Sequence, residues 1–461
     1  MKFSNNSKGI MLISTAFFIT VLVGILAIFI SRSIYETKAV EREVDRIKAY
    51  CAAEAGFQGA LSQIGTQSYT GFVNTSGYSG TLSIGSEQVA TCVATTTSEN
   101  SDFVIIQSTG TASYTTRSLE ARVFLDSNLS KYLVYADTPS FGSGTNAQYG
   151  EPLTDPDTGE IVYDANGRER VAEDPLDRAM MYFTGDWVVS GTNVNMYGDV
   201  YAEDDLIVNS GQDGDVHGDT AVKDQYTENG SLIVDDTYDD GEDKGVMTPD
   251  MEDSLNAINL DFYANHNSIP AFGAASQSRY IEFVVSADET HTIVNEYNDR
   301  QYTSLINTYD LPTTGIVYVN GDAYVRGTIK GRVSIVASDD IFIQDSLEYA
   351  NGLNHANASD AAAFLARDKL YFCGNQMNVC GIFYAERTSS DNPAFDSRYN
   401  TSGAYDPNSK QYLRVRGNRI INGNTNLSYY DDRAYIYDSY LKKFRPPGLP
   451  VTSVVSFVRE I

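Results

Sequence analysis

Basic residues are scarce in this sequence. Its 461 residues include 33 Lys and Arg against 61 Asp and Glu, which gives a formal net charge of −28. Most of this imbalance lies between positions 150 and 261, where 29 acidic residues stand against five basic ones. A negative field of this kind repels phosphate backbones, so we do not expect a nucleic-acid partner.

Histidine is rare as well, with four residues in the chain. They are scattered, and none lies at metal-ligand spacing from a cysteine, so the sequence predicts no zinc site. The four are His217, His266, His291 and His355. The acidic stretch Asp155–Glu160 lacks the ligand spacing of an EF-hand loop. We expect no cofactor and interpret the acidic loops as solvated, with a divalent cation on them left open.

Sequence motifs for catalysis are missing. There is no nucleophile elbow, no phosphate-binding loop and no metal-ligand spacing. Two carboxylate pairs, Asp204-Asp205 and Asp339-Asp340, fall at predicted chain corners, and neighbours in a strand point to opposite faces. Arg326 and Lys330 are lyase candidates by position alone. The sequence therefore predicts no catalytic residues and no enzyme.

A long apolar run is present near the start. Residues Ile10–Ile30 carry no charge and are long enough to span a bilayer as a helix. Charged residues follow the run without a small-residue cleavage site, unlike in a secretory signal peptide. Lys2 and Lys8 precede it, which places the N-terminus in the cytoplasm. The sequence predicts one inner-membrane span, with the rest of the chain outside.

The four cysteines comprise a pair that is close in sequence and two isolated residues. Cys373 and Cys380 flank a short turn in the part of the chain expected on the oxidising side of the membrane, so we predict that they form a disulfide. Cys51 lies in a predicted helix and Cys92 in a predicted strand. The sequence does not decide whether these two pair.

Residues around the apolar run carry a family resemblance. Lys8–Ile13, the apolar helix and then Ala49–Gly56 together resemble the N-terminus of PilX-type minor pilins, which are subunits of type IV pili. The resemblance implies that residues 1–9 are a leader, which the prepilin peptidase removes between Gly9 and Ile10. It also implies other pilins as partners. An ordinary N-terminal membrane anchor is the alternative.

Position 14 departs from the pattern of the major pilins. Most major pilins carry a glutamate at the fifth mature position, where this chain has Ser14. PilX-like proteins and K-type pseudopilins of secretion systems often lack that glutamate too. The resemblance therefore implies a minor subunit rather than the main repeating one.

The remaining sequence predicts a mainly β protein. A transmembrane and amphipathic helix is expected over residues 10–64, covered by a pilin-like antiparallel sheet over residues 65–127. Short strands separated by Gly, Asn and Asp then predict a right-handed parallel β-helix over residues 128–461. Exposed acidic insertions are expected at about 143–178 and 235–261. A β-sandwich is the alternative fold for this region.

The C-terminal region resembles the domain of many PilX-like proteins in which a Gly-Asp solenoid precedes a Pro-Pro-Gly tail, here Pro446–Gly448. The sequence thus favours a minor pilin or pseudopilin-like structural subunit that displays a β-helix on a cell-surface filament. The alternative is a membrane-anchored β-helix enzyme or binding module that acts on extracellular polysaccharide.

Overall fold

The structure is a computed structural model with two compact units. The helix unit consists of Met1–Gln67, Val73–Phe124 and Ser453–Ile461, and the ladder unit of Ser68–Phe72 and Leu125–Thr452. The residues that the structure describes are 6–66, 78–84, 87–98, 103–126, 130, 132–136, 140–142, 146–158, 160–165, 170–172, 179–222, 226–239, 258–265, 269–273, 277–351, 360–386, 394–397, 412–421, 425–427, 429–449 and 452–460.

The described elements of the helix unit are α1 Asn6–Thr66, β1 Tyr78–Ile84, β2 Glu87–Ser98, β3 Phe103–Ala112, β4 Thr115–Asp126 and β31 Thr452–Glu460. The described helices of the ladder unit are α2 Leu260–Asn265 and α3 Tyr440–Lys443. Its described strands are β5 Val134–Ala136, β6 Ser140–Gly142, β7 Ala147–Gly150, β8 Ala179–Phe183, β9 Asp186–Val189, β10 Val194–Met196, β11 Gly198–Ala202, β12 Leu206–Val208, β13 Asp213–Val222, β14 Tyr226–Glu228, β15 Ser231–Asp239, β16 Ala271–Phe272, β17 Arg279–Val285, β18 Thr292–Tyr297, β19 Leu305–Asp310, β20 Ile316–Val319, β21 Ala323–Ile329, β22 Arg332–Ala337, β23 Ile341–Tyr349, β24 Ala361–Ala366, β25 Leu370–Phe372, β26 Gln376–Ala385, β27 Phe395–Ser397, β28 Tyr412–Ile421, β29 Thr425–Asn426 and β30 Asp432–Ile436.

Helix α1 runs unbroken from Asn6 to Thr66, since no proline interrupts this stretch. Strands β1 to β4 form an antiparallel meander beside it. The predicted long helix and the predicted antiparallel sheet are therefore confirmed. The contact between them is built from small side chains, each at most 5% exposed: Ala49, Ala52, Ala90, Cys92 and Ala112.

Small side chains let the helix approach the sheet closely. A Cβ atom on Gly110 would lie only 2.0 Å from the carbonyl oxygen of Ala49 and 2.3 Å from the backbone nitrogen of Ala53. Beside it, the Ser108 hydroxyl donates a buried hydrogen bond of 2.6 Å to the carbonyl oxygen of Ala53. Position 110 therefore admits only glycine without moving α1.

The C-terminal strand differs from the sequence-based assignment. We predicted that residues 128–461 form one domain, closed by the final strand, but β31 extends the sheet of the helix unit in the order β1-β2-β3-β4-β31. Arg459 of β31 pairs with Glu120 of β4. The physical reason is that β4 would otherwise be an open edge with unpaired backbone groups, which β31 satisfies.

Strands of the ladder unit pair mainly in parallel. In the long ladder, the order is β16-β20-β22-β24-β26-β28-β5-β8-β11-β13-β15. A second ladder has the order β17-β21-β23-β25-β27-β29. A third joins β23-β26-β28-β30-β7-β10-β13-β15, and a fourth joins β6-β9-β12-β14. Strands β17, β18 and β19 form an antiparallel meander.

Apolar side chains repeat at equivalent positions of successive strands. Val317, Ile335, Phe364 and Phe383 are register neighbours in the long ladder, and all four are fully buried. The rings of Phe364 and Phe383 stack with centroids 5.2 Å apart. Short strands with Gly and Asp turns thus form the core by stacking like residues on like. The short strands that were predicted from the Gly, Asn and Asp pattern are present here as β20, β21, β22 and β23.

The order of strands in space differs from their order in the chain. Near the C-terminal end, β28 pairs in parallel with β5 (Arg419 opposite Val134), and β30 pairs in parallel with β7 (Arg433 opposite Ala147). We call these two pairings the seam. Strands β15 and β16 are consecutive in the chain, yet they lie at opposite ends of the long ladder.

The two predicted acidic insertions have different outcomes. Part of the first, expected exposed over residues 143–178, is a bridged loop in which Pro152 pairs with Val171 and Thr154 with Ile161. Val171 is 6% exposed because it packs against Tyr197. The loop is therefore anchored through buried Val171, while Thr154, Asp157 and Glu160 within it are exposed, as predicted. Of the second, residues 235–239 belong to β15 and residues 258–261 enter α2, while residues 240–257 lie outside the described residues.

Gly110→Val is expected to separate α1 from β3, because the added side chain overlaps the helix backbone. The destabilisation should be about 3 kcal/mol or more. In a Cys51→Ser background, labelling of the buried Cys92 thiol should become faster, since this thiol lies beneath the helix. Gly24→Ala is the matched control, with no atom within 4 Å of the new Cβ. Unchanged Cys92 labelling in the Gly110 variant would contradict the close packing.

Candidate functional site

The N-terminal half of α1 exposes apolar side chains along its surface. Between Met11 and Ser62 the helix contains a membrane-length window with mean hydropathy 2.7, none of it buried in the protein. Its exposed side chains include Phe17, Phe18 and Phe29, each at least 65% exposed. By length and composition this helix can cross a membrane. Among the described residues it is the one helix of this kind, which is compatible with the predicted single-pass anchor.

Exposure of apolar residues continues beyond the window. Val40, Val44 and Ile47 are 63%, 41% and 57% exposed, although the next turn buries Ala49 completely. Charged residues share this stretch, and Arg46 pairs with Glu43 at its surface. The sheet of the helix unit therefore covers one face of the second half of α1 and leaves apolar side chains of another face bare.

The residues assigned to processing lie within α1. Gly9 and Ile10 are helical, and their side chains fall outside the described residues. The Ser14 hydroxyl donates to the carbonyl oxygen of Met11 at 3.0 Å, so it is engaged by the backbone of its own helix. Ser14 carries no charge, and no carboxylate stands at this position.

The predicted disulfide is not formed in the structure, which holds all four cysteines as thiols. Cys373 packs with Phe342 and Tyr371, whereas Cys380 belongs to the main core. The seven-residue spacing places the two side chains in different clusters because β26 begins between them. Cys51 is exposed and Cys92 is buried.

Three carboxylates meet at one corner of the ladder unit. Ligand atoms of Asp322, Asp339 and Asp340 lie within 4.8 Å of one another, a spacing at which carboxylates could hold a metal ion. The backbone N–H of Lys369 donates to Asp340 at 3.0 Å. We noted the pair Asp339-Asp340 as a corner. Asp322 was not predicted to join this pair; it comes from the preceding turn of chain, and its Gly-Asp turn was the available signal.

Burial and the neighbouring charge of Asp339 raise the pKa of the Asp340 carboxyl to about 7. The hydrogen bond from the Lys369 N–H lowers this pKa but does not offset the rise. Burial and the charge of Asp322 also raise the pKa of Asp339. Desolvation disfavours the charged form, and like charges disfavour it further. The corner therefore holds fewer negative charges at neutral pH than its sequence suggests.

The other candidates for chemistry have structural partners. Arg326 pairs with Glu282 at 2.6 Å, and the backbone N–H of Lys330 donates to the Thr292 hydroxyl at 2.7 Å. In the other carboxylate pair, Asp204 is exposed, and the backbone of Asp205 hydrogen-bonds to Trp187. The structure does not bring Asp204-Asp205 into the trio at Asp322.

The histidines do not gather at one site among the described residues. His217 stacks on Tyr197 and His291 contacts Asp310, while the other two lie outside the described residues.

Comparison with known proteins gives little similarity. No protein-family model matches the chain, and no curated protein matches it. Among solved structures, the competence-associated pilin ComZ from Thermus thermophilus is 13% identical to it. The alignment covers 90% of this chain and 98% of that one, with a TM-score of 0.28. At that TM-score the two chains do not share a demonstrated fold.

The native protein is expected to show one rapidly reacting thiol and three slow ones. Cys51 is exposed, whereas Cys92, Cys373 and Cys380 are each 3% exposed. Titration with a thiol reagent, without reductant, should give one fast equivalent in buffer and four in denaturant. Cys51→Ser should abolish the fast equivalent. A total of two in denaturant, with a linked Cys373–Cys380 peptide, would support the sequence-based pairing instead.

Asp340→Asn is expected to stabilise the ladder unit at pH 8 but not at pH 4. The carboxyl pKa is higher in the folded than in the unfolded chain, so stability is lost as pH rises from about 4 to about 7. Three pKa units correspond to about 4 kcal/mol, which partial solvent exposure reduces to about 1–2 kcal/mol. Asparagine keeps the acceptor for Lys369.

Urea unfolding followed by fluorescence of Trp187 measures this effect, since this residue is the single tryptophan and is buried in the same unit. Asp204→Asn, at an exposed carboxylate, is the control and should change stability little at either pH. An equal effect of Asp340→Asn at pH 4 and pH 8 would contradict the raised pKa.

Proposed function

We propose that this chain is a minor pilin or pseudopilin-like structural subunit of a type IV pilus or a related secretion filament. It is anchored in the inner membrane through α1 before assembly, with its N-terminus in the cytoplasm. After assembly it displays the ladder unit outside the cell. Its partners are other pilins, the prepilin peptidase and the membrane, and it acts without nucleic acid, cofactor or catalysis.

One observation carries this proposal: α1 exposes apolar side chains well beyond a membrane-length stretch. A plain membrane anchor needs about 20 apolar residues. Here Val40, Val44 and Ile47 remain exposed between the membrane window and the face covered by the sheet. Exposed apolar side chains in such a row favour burial against another protein surface. Helices of neighbouring subunits, packed side by side in a filament, provide that surface.

Ser14 favours a rare or terminal position in the filament. Cleavage after Gly9 leaves a free ammonium on Ile10, and an unpaired charge in the membrane is costly. A glutamate at position 14 could neutralise the ammonium of a neighbouring subunit. The Ser14 hydroxyl is instead bonded to Met11. This chain therefore offers no charge to the next subunit, which a subunit at the tip does not need.

For the ladder unit we propose a right-handed parallel β-helix. Its support is the parallel pairing of strands from successive turns of chain and the passage of the chain from one ladder to another at each turn. A β-sandwich instead packs antiparallel sheets face to face. Parallel crossovers strongly favour the right-handed sense.

Mass spectrometry of the protein from its native membrane should find Ile10 as the first residue. Gly9→Leu should block cleavage between residues 9 and 10, because its bulky side chain prevents the peptidase from approaching the backbone closely. Gly24→Ala, within the same helix, should be processed normally. An uncut N-terminus in the unaltered protein would contradict the pilin assignment.

Immunogold labelling of filaments should mark ends or sparse points. Ser14→Glu supplies the missing carboxylate and should increase labelling along the shaft. Dense shaft labelling of the unaltered protein would contradict the minor role, and an absence of label from every filament would contradict assembly.

A further inference from the structure

A bulge in β23 opens a cleft on the surface of the ladder unit. Val325 of β21 pairs with Ile343 and Gly327 pairs with Leu347, so three residues of β23 stand opposite Arg326 alone. Extra residues of this kind bend a strand and re-aim its side chains. The resulting open cleft has a volume of about 320 Å³. Its side chains come from Glu282, Arg326, Thr328, Asp345, Ser346 and Glu348.

A glycine of β21, Gly327, also lines the cleft. Gly327 has a φ of +116°, and a Cβ there would lie 2.1 Å from the carbonyl oxygen of Phe283 in the neighbouring strand. The glycine therefore permits the close approach of β21 to β17 and adds no side chain to the cleft. Backbone and flanking polar groups therefore form its surface.

The side of the cleft that contains Arg326 and Glu282 is held in place by contacts within the protein. The Arg326 guanidinium donates to Glu282 at 2.6 Å and lies over the Tyr302 ring, 3.8 Å from its centroid. The Tyr297 hydroxyl donates to the other oxygen of Glu282 at 2.8 Å. Arg326 keeps 34% of its side chain exposed. The wall thus presents hydrogen-bond donors in a set geometry, with the Arg326 charge balanced by Glu282.

The opposite wall supplies acceptors. Asp345 accepts from the Ser346 backbone N–H at 2.8 Å, and Glu348 accepts from the Asn378 side-chain amide at 3.2 Å. The Ser346 hydroxyl accepts from the Asn378 backbone at 3.1 Å. Asp345 and Glu348 are both exposed. Each carboxylate is therefore anchored through one oxygen and keeps further acceptor capacity toward the cleft.

The lining excludes several ligand classes. Three carboxylates against one guanidinium, on a chain of net charge −28, disfavour phosphates and acidic glycans. Apolar ligands lack an apolar lining. In the described part of the chain, only the Asp322 trio brings three potential metal ligands together, so the cleft carboxylates do not form such a group. A ligand rich in groups that both donate and accept hydrogen bonds matches this mixed lining, and a basic peptide is the competing occupant.

We propose that this cleft binds a neutral saccharide. Each sugar hydroxyl can donate to a carboxylate of Asp345 or Glu348 and accept from Arg326 or from a neighbouring hydroxyl. The cleft is near the small end of the usual range for ligand sites, about 300–1,000 Å³. An open cleft without an aromatic stacking surface should bind with a Kd on the order of 1 mM. This inference does not depend on assembly into a filament.

The test uses the full chain in a zwitterionic detergent without a sugar headgroup, because maltoside detergents would compete. A neutral-glycan array followed by saturation-transfer NMR on maltotetraose, cellotetraose and N-acetylated chitotetraose measures binding. Tetragalacturonate and tetralysine are the charged comparators. We expect at least one neutral glycan to bind, with affinity unchanged up to about 1 M NaCl, where charge interactions are screened within about 3 Å.

Thr328→Val with Glu348→Gln removes one hydroxyl and one charged acceptor at nearly constant volume. Affinity for the bound glycan should fall about tenfold. Asp204→Asn removes a charge at an exposed site away from the cleft and should leave the affinity unchanged. If no neutral glycan binds, or the double variant binds as well as the unaltered chain, the proposal is overturned. Salt-sensitive binding of tetralysine alone would overturn it in favour of a basic peptide.

Discussion

The parallel pairing of β28 with β5 is the contact on which the ladder unit depends. It joins the strands formed by residues 271–436 to those formed by residues 134–239, and β30 with β7 repeats the junction on a second ladder. Without the seam, each set of strands would end in an open edge with unpaired backbone groups. A contact between strands so far apart in the chain carries a high loop-closure cost, which slows folding. The seam thus unites two stacks into one core.

A buried arginine lies at this junction. Arg419 is 1% exposed, with its guanidinium 4.1 Å from the centroid of the Tyr435 ring and 5.4 Å from that of Phe395. Tyr435 in turn stacks on Tyr149 across the seam, with centroids 4.7 Å apart. Aromatic faces attract a cation, and the attraction grows when water is excluded. The charge therefore favours this one alignment of the two stacks over a shifted register.

Local patterns predicted the elements but not their long-range partners. Residues 10–64 are apolar or amphipathic without proline, and the alternating strands after residue 78 have clear turns, so the helix and the antiparallel sheet could be foreseen. The Gly, Asn and Asp residues between short apolar segments after residue 128 likewise predicted short strands separated by turns. The sequences of β28 and β5 do not identify these strands as partners. Both strands are buried on both faces, so neither has the alternating pattern that would indicate how it pairs. Strand β31 was assigned to the wrong unit because its own sequence carries no signal that its partner is β4.

The candidate sites also differ in whether they depend on one element or on the pairing of distant strands. Ser14 and the apolar surface of α1 are readable from the chain, since they depend on one helix. The trio at Asp322 and the cleft at Arg326 depend on which residues of successive turns lie side by side, and that register is set by core packing. Cys373 and Cys380 illustrate this limit: only six residues separate them, yet the start of β26 directs their side chains into different clusters.

Because β31 returns to the sheet of the helix unit, the ladder unit is tethered to that unit at both of its ends. The chain leaves the sheet after β4 and re-enters it at β31, which lies next to β4. A single proteolytic cut in either connection would leave the ladder unit attached through the other. Tension applied to the ladder unit would likewise divide between two adjacent strands, so that neither connection carries the whole force.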